Sequence, residues 1–147
     1  MREIIFRGKR KDNGEWVQGD LIAYETGEVA ILEQKFSKYG YEATEISNRT
    51  RVNPETIGQY TGLTDKNGKK IFEGDIISIP FEEDRSPYEE NCVYYEDGEV
   101  YFDNEHYGWF VKFFDGETLS IWEYTEVEIV VIGNIHDNPE LLKECEG

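Results

Sequence analysis

Short turn motifs recur about every ten residues along this chain, a spacing typical of short strands joined by tight turns. The motifs combine glycine or proline with small polar residues: Asp12-Asn13-Gly14, Thr26-Gly27, Asn53-Pro54, Asp65-Lys66-Asn67-Gly68, Ser86-Pro87, Asp97-Gly98 and Asp115-Gly116. Glycine supplies the positive φ that hairpin turns need. The segments between the motifs are rich in β-branched and aromatic residues, which favour strands. The sequence therefore predicts a mainly β fold of short antiparallel strands, in the all-β or α+β class.

Two segments near the C-terminus refine this prediction. Ile129-Val130-Val131-Ile132 is apolar at every position and precedes a glycine, which favours a buried central strand. Asn138-Pro139-Glu140 has the residues preferred at the start of a helix, because asparagine caps the first turn and proline fits its first position. We therefore expect a short C-terminal helix after the last strand.

The chain contains an internal similarity between residues 13–22 and residues 67–77, with one residue inserted in the second copy. Each copy is predicted to form a hairpin turn, an apolar strand, a Gly-Asp corner and a further strand. Glycine allows a sharp bend there, and aspartate accepts hydrogen bonds from local N–H groups. Such corners suit a small, strongly bent barrel of SH3-like type with additional β-hairpins. We therefore interpret Asp20 and Asp75 as structural residues and not as a catalytic pair.

Negative charge is concentrated in the second half of the chain. The chain carries 15 basic and 32 acidic residues, a net charge of −17. Residues 1–70 have a net charge of +1, whereas residues 71–147 have a net charge of −18. The change falls inside the second of the two similar hairpins, so we interpret it as polarity within a single domain, residues 1–147. The segment 81–91 is acidic and contains a proline, and we expect a flexible loop there.

Charge and hydropathy also limit the partners and the location of the protein. A chain this negative repels phosphate, which disfavours nucleic acid and anionic membranes as partners. The N-terminus lacks the apolar stretch of a signal peptide, and the longest aliphatic run is far too short to span a bilayer. We expect a cytoplasmic protein without a membrane segment, in which Cys92 and Cys145 are free thiols.

Catalytic and metal-binding patterns do not stand out. His106 and His136 are the two histidines, and neither belongs to a His-x-x-x-His or Cys-x-x-Cys spacing. The chain has neither a Gly-x-Ser-x-Gly motif nor a glycine-rich phosphate loop between a strand and a helix. We therefore assign no catalytic residue, no cofactor and no metal, and favour a non-enzymatic role. An enzyme with a site built from carboxylates stays open as an alternative.

The chain resembles the YopX family most closely over residues 58–77, which run Gly-Gln-Tyr-Thr-Gly-Leu-Thr-Asp-Lys-Asn-Gly-Lys-Lys-Ile-Phe-Glu-Gly-Asp-Ile-Ile. Residues 1–8 are similar to the first strand of that family, and residues 131–142 to its closing strand and helix. The resemblance implies a small, mainly β protein of bacteriophages and prophages with an SH3-like barrel. It implies no established biochemical activity, and no catalytic residue is carried over.

Binding is the role that we favour for such an accessory protein, with an unidentified host or phage protein as the partner; a homo-oligomer also stays open. The candidate binding residues are aromatic, as in the grooves that hold extended peptides, or acidic: Tyr107, Trp109, Trp122, Glu82, Glu83 and Asp84. A sharper version makes the acidic half a mimic of the DNA backbone, with carboxylates in two rows. The alternative is nucleic-acid binding through the basic N-terminal hairpin, which contains Arg7, Lys9, Arg10 and Lys11.

Overall fold

The computed structural model describes residues 3–34, 47–83, 86–90, 92–121 and 128–142. The described residues form antiparallel strands with two short 3-10 helices, so the predicted mainly β class is confirmed. The chain divides into two compact units, Met1–Gly62 and Leu63–Gly147. The assignment of residues 1–147 to one domain stays a prediction. No helix in the described ranges is long and apolar enough to cross a membrane.

The first unit contains one antiparallel sheet with the strand order β4-β3-β2-β1-β5. Its strands are β1 (Phe6–Lys9), β2 (Trp16–Ala23), β3 (Val29–Gln34), β4 (Ser47–Val52) and β5 (Gly58–Thr64), and a 3-10 helix, Pro54–Thr56, precedes β5. One face of the sheet buries Val17, Ile31 and Val52, which form the core of this unit. The strand register places them on a single face, because Val17 shares a face of β2 with Leu21, which lies opposite Ile31, and Val52 lies opposite Val29 on the same side.

Strand β2 changes its partner in the middle, at Gly19 and Asp20. Residues 16–19 pair with β1, whereas residues 20–23 pair with β3. The predicted Gly-Asp corner of the first copy is therefore wrong, because the two residues lie inside a continuous strand and Asp20 is exposed. The glycine instead permits a close approach: a Cβ at Gly19 would lie 2.2 Å from the carbonyl oxygen of Leu32.

The second unit is built on a five-stranded antiparallel sheet with the order β10-β9-β8-β7-β11. Its strands are β6 (Lys70–Phe72), β7 (Asp75–Glu83), β8 (Cys92–Asp103), β9 (Gly108–Phe113), β10 (Thr118–Ser120) and β11 (Val130–Asn134). Apolar side chains on one face form its core: Ile71, Ile77, Ile79, Val100, Val111, Phe113, Ile121 and Ile129. Residues 84–91 join β7 to β8, and residues 86–90 are exposed; the flexibility of the acidic loop stays a prediction.

Strand β11 lies at an edge of the described sheet, so the prediction of a central strand for residues 129–132 is wrong. The turn at residues 65–69 covers its outer side. Lys66 donates its N–H to the carbonyl of Ile129 at 3.0 Å, and Val131 donates its N–H to Asp65 Oδ2 at 3.1 Å. The turn therefore supplies the hydrogen bonds on the outer side of β11, where the prediction had placed a neighbouring strand.

The Gly-Asp corner of the second copy is confirmed. Gly74 has a φ of 88° and precedes Asp75, whose side chain is 1% exposed. Asp75 Oδ2 accepts the N–H of Phe72 at 2.7 Å, which ties the corner to the preceding strand. The carboxylate thus has the structural role that the sequence suggested, and a buried acceptor of a backbone N–H is costly to remove.

Two finer predictions about the fold are not confirmed. The described strands form open sheets and no closed barrel, so the SH3-like barrel stays a prediction. At the C-terminus, Pro139–Leu142 forms a 3-10 helix of four residues, where a short helix was expected. Asn138 does not cap it with its side chain: Asn138 Oδ1 instead accepts the N–H of Asn134 at 3.3 Å.

Candidate functional site

Exposed aromatic side chains of the second unit lie at both ends of β8, a strand of 12 residues. We call residues 101–110, where β8 turns into β9, the β8–β9 tip. We call residues 79–83 and 92–96, where β7 and β8 pair with each other beyond the other described strands, the β7–β8 ribbon. Acidic side chains accompany the rings at both ends, so each end combines apolar surface with negative charge.

The β8–β9 tip has rings on both faces of the hairpin. On one face Phe102 meets Trp109 edge to face, with ring centroids 5.2 Å apart. On the other face Phe110 lies 6.3 Å from Tyr101 and 5.5 Å from His106. These contacts fix the rings of the hairpin stem, because aromatic pairs at such distances attract each other beyond the area that they bury.

Tyr107 stands at the end of this tip with 83% of its surface exposed. Its φ is 52°, a left-handed conformation that costs a residue with a large side chain free energy. Asp103 holds the turn, since its Oδ1 accepts the N–H of Glu105 at 2.8 Å and its Oδ2 lies 3.1 Å from Nδ1 of His106. The N–H of Glu105 and then the ring of His106 lower the pKa of Asp103. The tip therefore presents a tyrosine to solvent from a braced but unfavourable backbone conformation.

The β7–β8 ribbon is aromatic on both faces as well. Phe81 stacks on Tyr94 with centroids 5.7 Å apart and meets Phe113 edge to face at 6.0 Å. Val93 and Tyr95 lie on the opposite face, and Tyr95 is 63% exposed. This end of the sheet is thus a two-stranded projection whose apolar side chains remain partly in water.

The structure separates the binding residues that the sequence suggested. Trp109 pairs with Phe102 at the tip, whereas Glu82 pairs with Val93 in the ribbon. Val93 and Phe102 are nine residues apart on one strand, which corresponds to about 30 Å. Tyr107 and Trp109 therefore share one site, and Glu82 and Glu83 belong to another. Trp122 and Asp84 lie outside the described residues.

Sequence reasoning missed Tyr94, Tyr95 and Asp103. The run Val93-Tyr94-Tyr95 between two acidic segments was a usable signal, because adjacent strand residues point to opposite faces and one of two adjacent rings must then face away from the core. For Asp103, no local pattern distinguished the turn that it braces from the other aspartate turns.

Two glutamates in the middle of β8, Glu96 and Glu99, lie in surroundings that disfavour their charged forms. Burial raises the pKa of Glu96, and the neighbouring carboxylates of Asp115 and Glu117 raise it further. Burial also raises the pKa of Glu99, although Lys112 directly opposite on β9 acts to lower it. The charged forms of Glu96 and Glu99 are therefore disfavoured in the folded protein relative to an exposed glutamate.

Replacing Glu96 by glutamine is expected to raise the melting temperature at pH 7 by about 2 °C, a modest gain because solvent screens the repulsion. The folded-state pKa lies above the unfolded one, so the charge costs stability above the folded pKa. That cost disappears as the pH falls through this value, and the gain should vanish near pH 4. Thermal unfolding followed by circular dichroism at both pH values tests this. An equal gain from Glu89→Gln, in an exposed turn, would show that net charge alone matters.

The basic N-terminal hairpin offers less free charge than its sequence suggests. Arg7 is 8% exposed, and its guanidinium lies 4.6 Å from the ring centroid of Trp16. The Nζ of Lys9 lies 5.5 Å from the same ring. Arg10 binds Asp12 through two hydrogen bonds of 2.9 and 2.7 Å. Three of the four basic side chains thus stabilise the hairpin itself.

A cavity of about 330 Å³ in the first unit is lined by two carboxylates among apolar and amide groups: Glu3, Ile4, Ile5, Gln18, Gly19, Asp20 and Leu32. The lining residues include no histidine, cysteine or lysine. In the described ranges, no group of three or more histidine, cysteine, aspartate or glutamate residues could hold a metal ion.

Comparison with known proteins agrees with this fold. A family model described as "YopX protein" matches residues 5–143. Among solved structures, the crystal structure of protein EF1440 from Enterococcus faecalis matches 97% of this chain and 100% of its own, with 23% sequence identity and a TM-score of 0.54. At that identity the likeness concerns the fold alone. No curated protein matches the sequence.

Proposed function

This chain belongs to the YopX family, and we propose that it is a non-enzymatic phage or prophage accessory protein that acts in the host cytoplasm by binding a basic protein. The observation that carries the proposal is Tyr107, a highly exposed ring held at φ 52° by a braced turn. A glycine would relieve that backbone at no cost to the core, so the tyrosine has a use that stability does not supply.

The charge of the second unit supports a basic partner. Residues 63–147 contain 6 basic and 22 acidic residues, a net charge of −16. Such a field accelerates the encounter with a positively charged protein and disfavours acidic competitors. The rings of the tip then supply the apolar contact, because buried aromatic anchors carry most of the energy of protein interfaces.

The DNA-mimic version draws limited support from the spacing of acids on β8. Asp97, Glu99 and Asp103 share one face, on which successive side chains are about 6.7 Å apart. Tyr101 interrupts this row, Asp103 turns back to its own loop, and Lys112 faces Glu99. We therefore propose binding through charge and aromatic contacts, without imitation of a phosphate backbone.

Replacing Tyr107 by glycine is expected to weaken partner binding at least tenfold and to leave the fold intact. Glycine accepts a φ of 52° without strain, so the free energy of unfolding should stay unchanged or rise by up to about 1 kcal/mol. The measurement is affinity capture from phage-infected cells with both proteins in parallel, quantified by mass spectrometry. The captured partner is then purified and titrated calorimetrically.

Phe114→Ala is the matched control, because Phe114 is also an exposed ring in a turn of this sheet but lies at the other end of β9. The proposal requires a basic protein that wild type and Phe114→Ala retain and that Tyr107→Gly loses. Equal retention by all three proteins, or capture of no basic protein, would contradict it.

A further inference from the structure

The outer edge of β8 is open over residues 92–97 in the described part of the chain. Pairing between β8 and β9 ends at Gly98 and Phe113, and the chain then turns through residues 114–117 into β10. Among the strands that the structure describes, β7 alone pairs with residues 92–96. In the β7–β8 ribbon, the side of β8 that pairs with β9 further along the strand is therefore the edge of the described sheet.

The hydrogen-bond pattern shows which residues direct backbone groups to this edge. Phe113 donates its N–H to Glu117 at 2.9 Å, away from β8, so its partner Gly98 directs its own groups toward β7. Alternation along the strand then points Val93 and Tyr95 outward. Tyr95 and the residue opposite it, Pro80, should then form a pair without hydrogen bonds between them. Proline agrees with this, because it has no N–H to donate across the pair.

The edge carries few of the features that usually prevent strand addition. Natural edges carry charged residues, above all lysine, or proline, a bulge or inward-pointing charges. Residues 92–97 are Cys-Val-Tyr-Tyr-Glu-Asp and pair with β7 in regular register. The charged residues among them, Glu96 and Asp97, repel an acidic strand but attract a basic one. The described side chains Val93, Tyr94 and Tyr95 are each at least 44% exposed. An added strand would cover these side chains and pair the outward backbone groups.

We propose that a basic, extended segment of the partner protein adds to β8 as a strand along residues 92–96. This inference rests on the proposed function and adds a second contact with the partner, at the opposite end of β8 from Tyr107. Glu96 and Asp97 belong to this edge strand, and Glu82 and Glu83 lie opposite Val93 and Cys92 on β7. In the sequence, Arg85 is the one lysine or arginine between Lys70 and Lys112. A second copy of the chain would bring carboxylates against carboxylates, which is unfavourable across paired strands. Alternating lysine and apolar side chains complement both faces of the ribbon, and main-chain hydrogen bonds supply affinity.

The probe is a short blocked peptide of alternating lysine and valine, titrated at about 0.1 M salt, where exposed charges remain partly unscreened. Amide hydrogen exchange followed by NMR should slow at Val93 and Tyr95 by at least tenfold on binding. The amides of Tyr94 and Glu96, which face β7, should change little. This alternating protection is the signature of strand addition and is not expected from docking of side chains.

Two variants of one residue separate the backbone from the ring. Tyr95→Thr keeps the outward N–H and removes the ring, whereas Tyr95→Pro removes both. The peptide should bind Tyr95→Pro at least tenfold more weakly than Tyr95→Thr. A peptide with methylated backbone nitrogens cannot donate main-chain hydrogen bonds to β8, so it should fail to bind the wild-type protein. This measurement does not depend on whether Tyr95→Pro folds.

The outcomes distinguish this inference from the proposed function. Binding that leaves both outward amides unprotected, or that tolerates backbone methylation, overturns strand addition and leaves a charge-driven interaction elsewhere. The glutamate counterpart of the peptide should not bind, and equal binding of both peptides would overturn the charge argument. If the lysine peptide does not bind at all, the edge has no such role, and capture with Tyr107→Gly still decides the proposed function.

Discussion

Alanine at position 19 is expected to lower the free energy of unfolding of the first unit by about 3 kcal/mol or more, near the upper end for overpacked sites. The added Cβ would lie 2.2 Å from the carbonyl oxygen of Leu32, which is backbone and has no rotamer by which to move away. Relief would require β2 and β3 to separate where β2 passes from one partner to the other. Chemical denaturation followed by circular dichroism measures the loss.

Gly14→Ala is the control for this substitution. Gly14 has a φ of 74° in a turn with open space around the position of a Cβ, so alanine there adds backbone strain without a clash. We expect a loss of about 1 kcal/mol for Gly14→Ala. If the two variants lose equal stability, the close approach of Leu32 to Gly19 is not what demands the glycine.

Local chemistry explains which parts of the fold were predictable from the sequence. The turn at Asn67-Gly68 and the corner at Gly74-Asp75 follow from positive φ and from short side-chain hydrogen bonds, which involve residues close in the chain. Gly19-Asp20 carries the same dipeptide and lies inside a strand, because its glycine is required by Leu32, a residue on another strand. The dipeptide is identical, and the long-range contact decides its role.

The same limit applies to the edge position of β11. An apolar run such as residues 129–132 shows that a strand is buried but not what covers it. Here the cover is the turn at residues 65–69, whose Asp65 accepts the N–H of Val131 across a separation of 66 residues. No periodicity within either segment reveals that pairing.

The candidate site was predictable in its chemistry but not in its geometry. Acidic and aromatic residues of the second half were identified from composition, and Tyr107 and Trp109 do share the β8–β9 tip. Their separation from Glu82 follows from the pairing of β8 along its whole length with β7 and then β9. Strand register sets that distance, and register depends on the entire sheet.

Replacing Asp65 by asparagine is expected to destabilise the second unit by about 3 kcal/mol at pH 7, since hydrogen bonds to a buried charged group are among the stronger ones. Asp65 Oδ1 accepts the N–H groups of Asn67 and Lys69, both at 2.9 Å, while Oδ2 accepts that of Val131. An asparagine keeps one acceptor oxygen and places an NH₂ group where the other was. An NH₂ group on the Oδ1 side would lose two N–H bonds, and one on the Oδ2 side loses only that of Val131. We therefore expect the second orientation, in which the side chain loses its bond to β11 and its NH₂ group faces the N–H of Val131.

The pH dependence of this effect has a defined sign. Burial alone would raise the pKa of Asp65, but the N–H groups of Val131, Lys69 and Asn67 together lower it. The stabilisation is therefore complete above the unfolded pKa, about 3.9, and is lost as the pH falls through the folded value. Urea denaturation should show the difference in unfolding free energy between wild type and Asp65→Asn closing below pH 4.

Asp115→Asn is the matched control: Asp115 also braces a turn, by accepting the N–H of Glu117 at 2.9 Å, and it is exposed. We expect a loss below about 0.5 kcal/mol there, as for most surface substitutions, and a loss equal to that of Asp65→Asn would mean that the turn matters and its attachment to β11 does not.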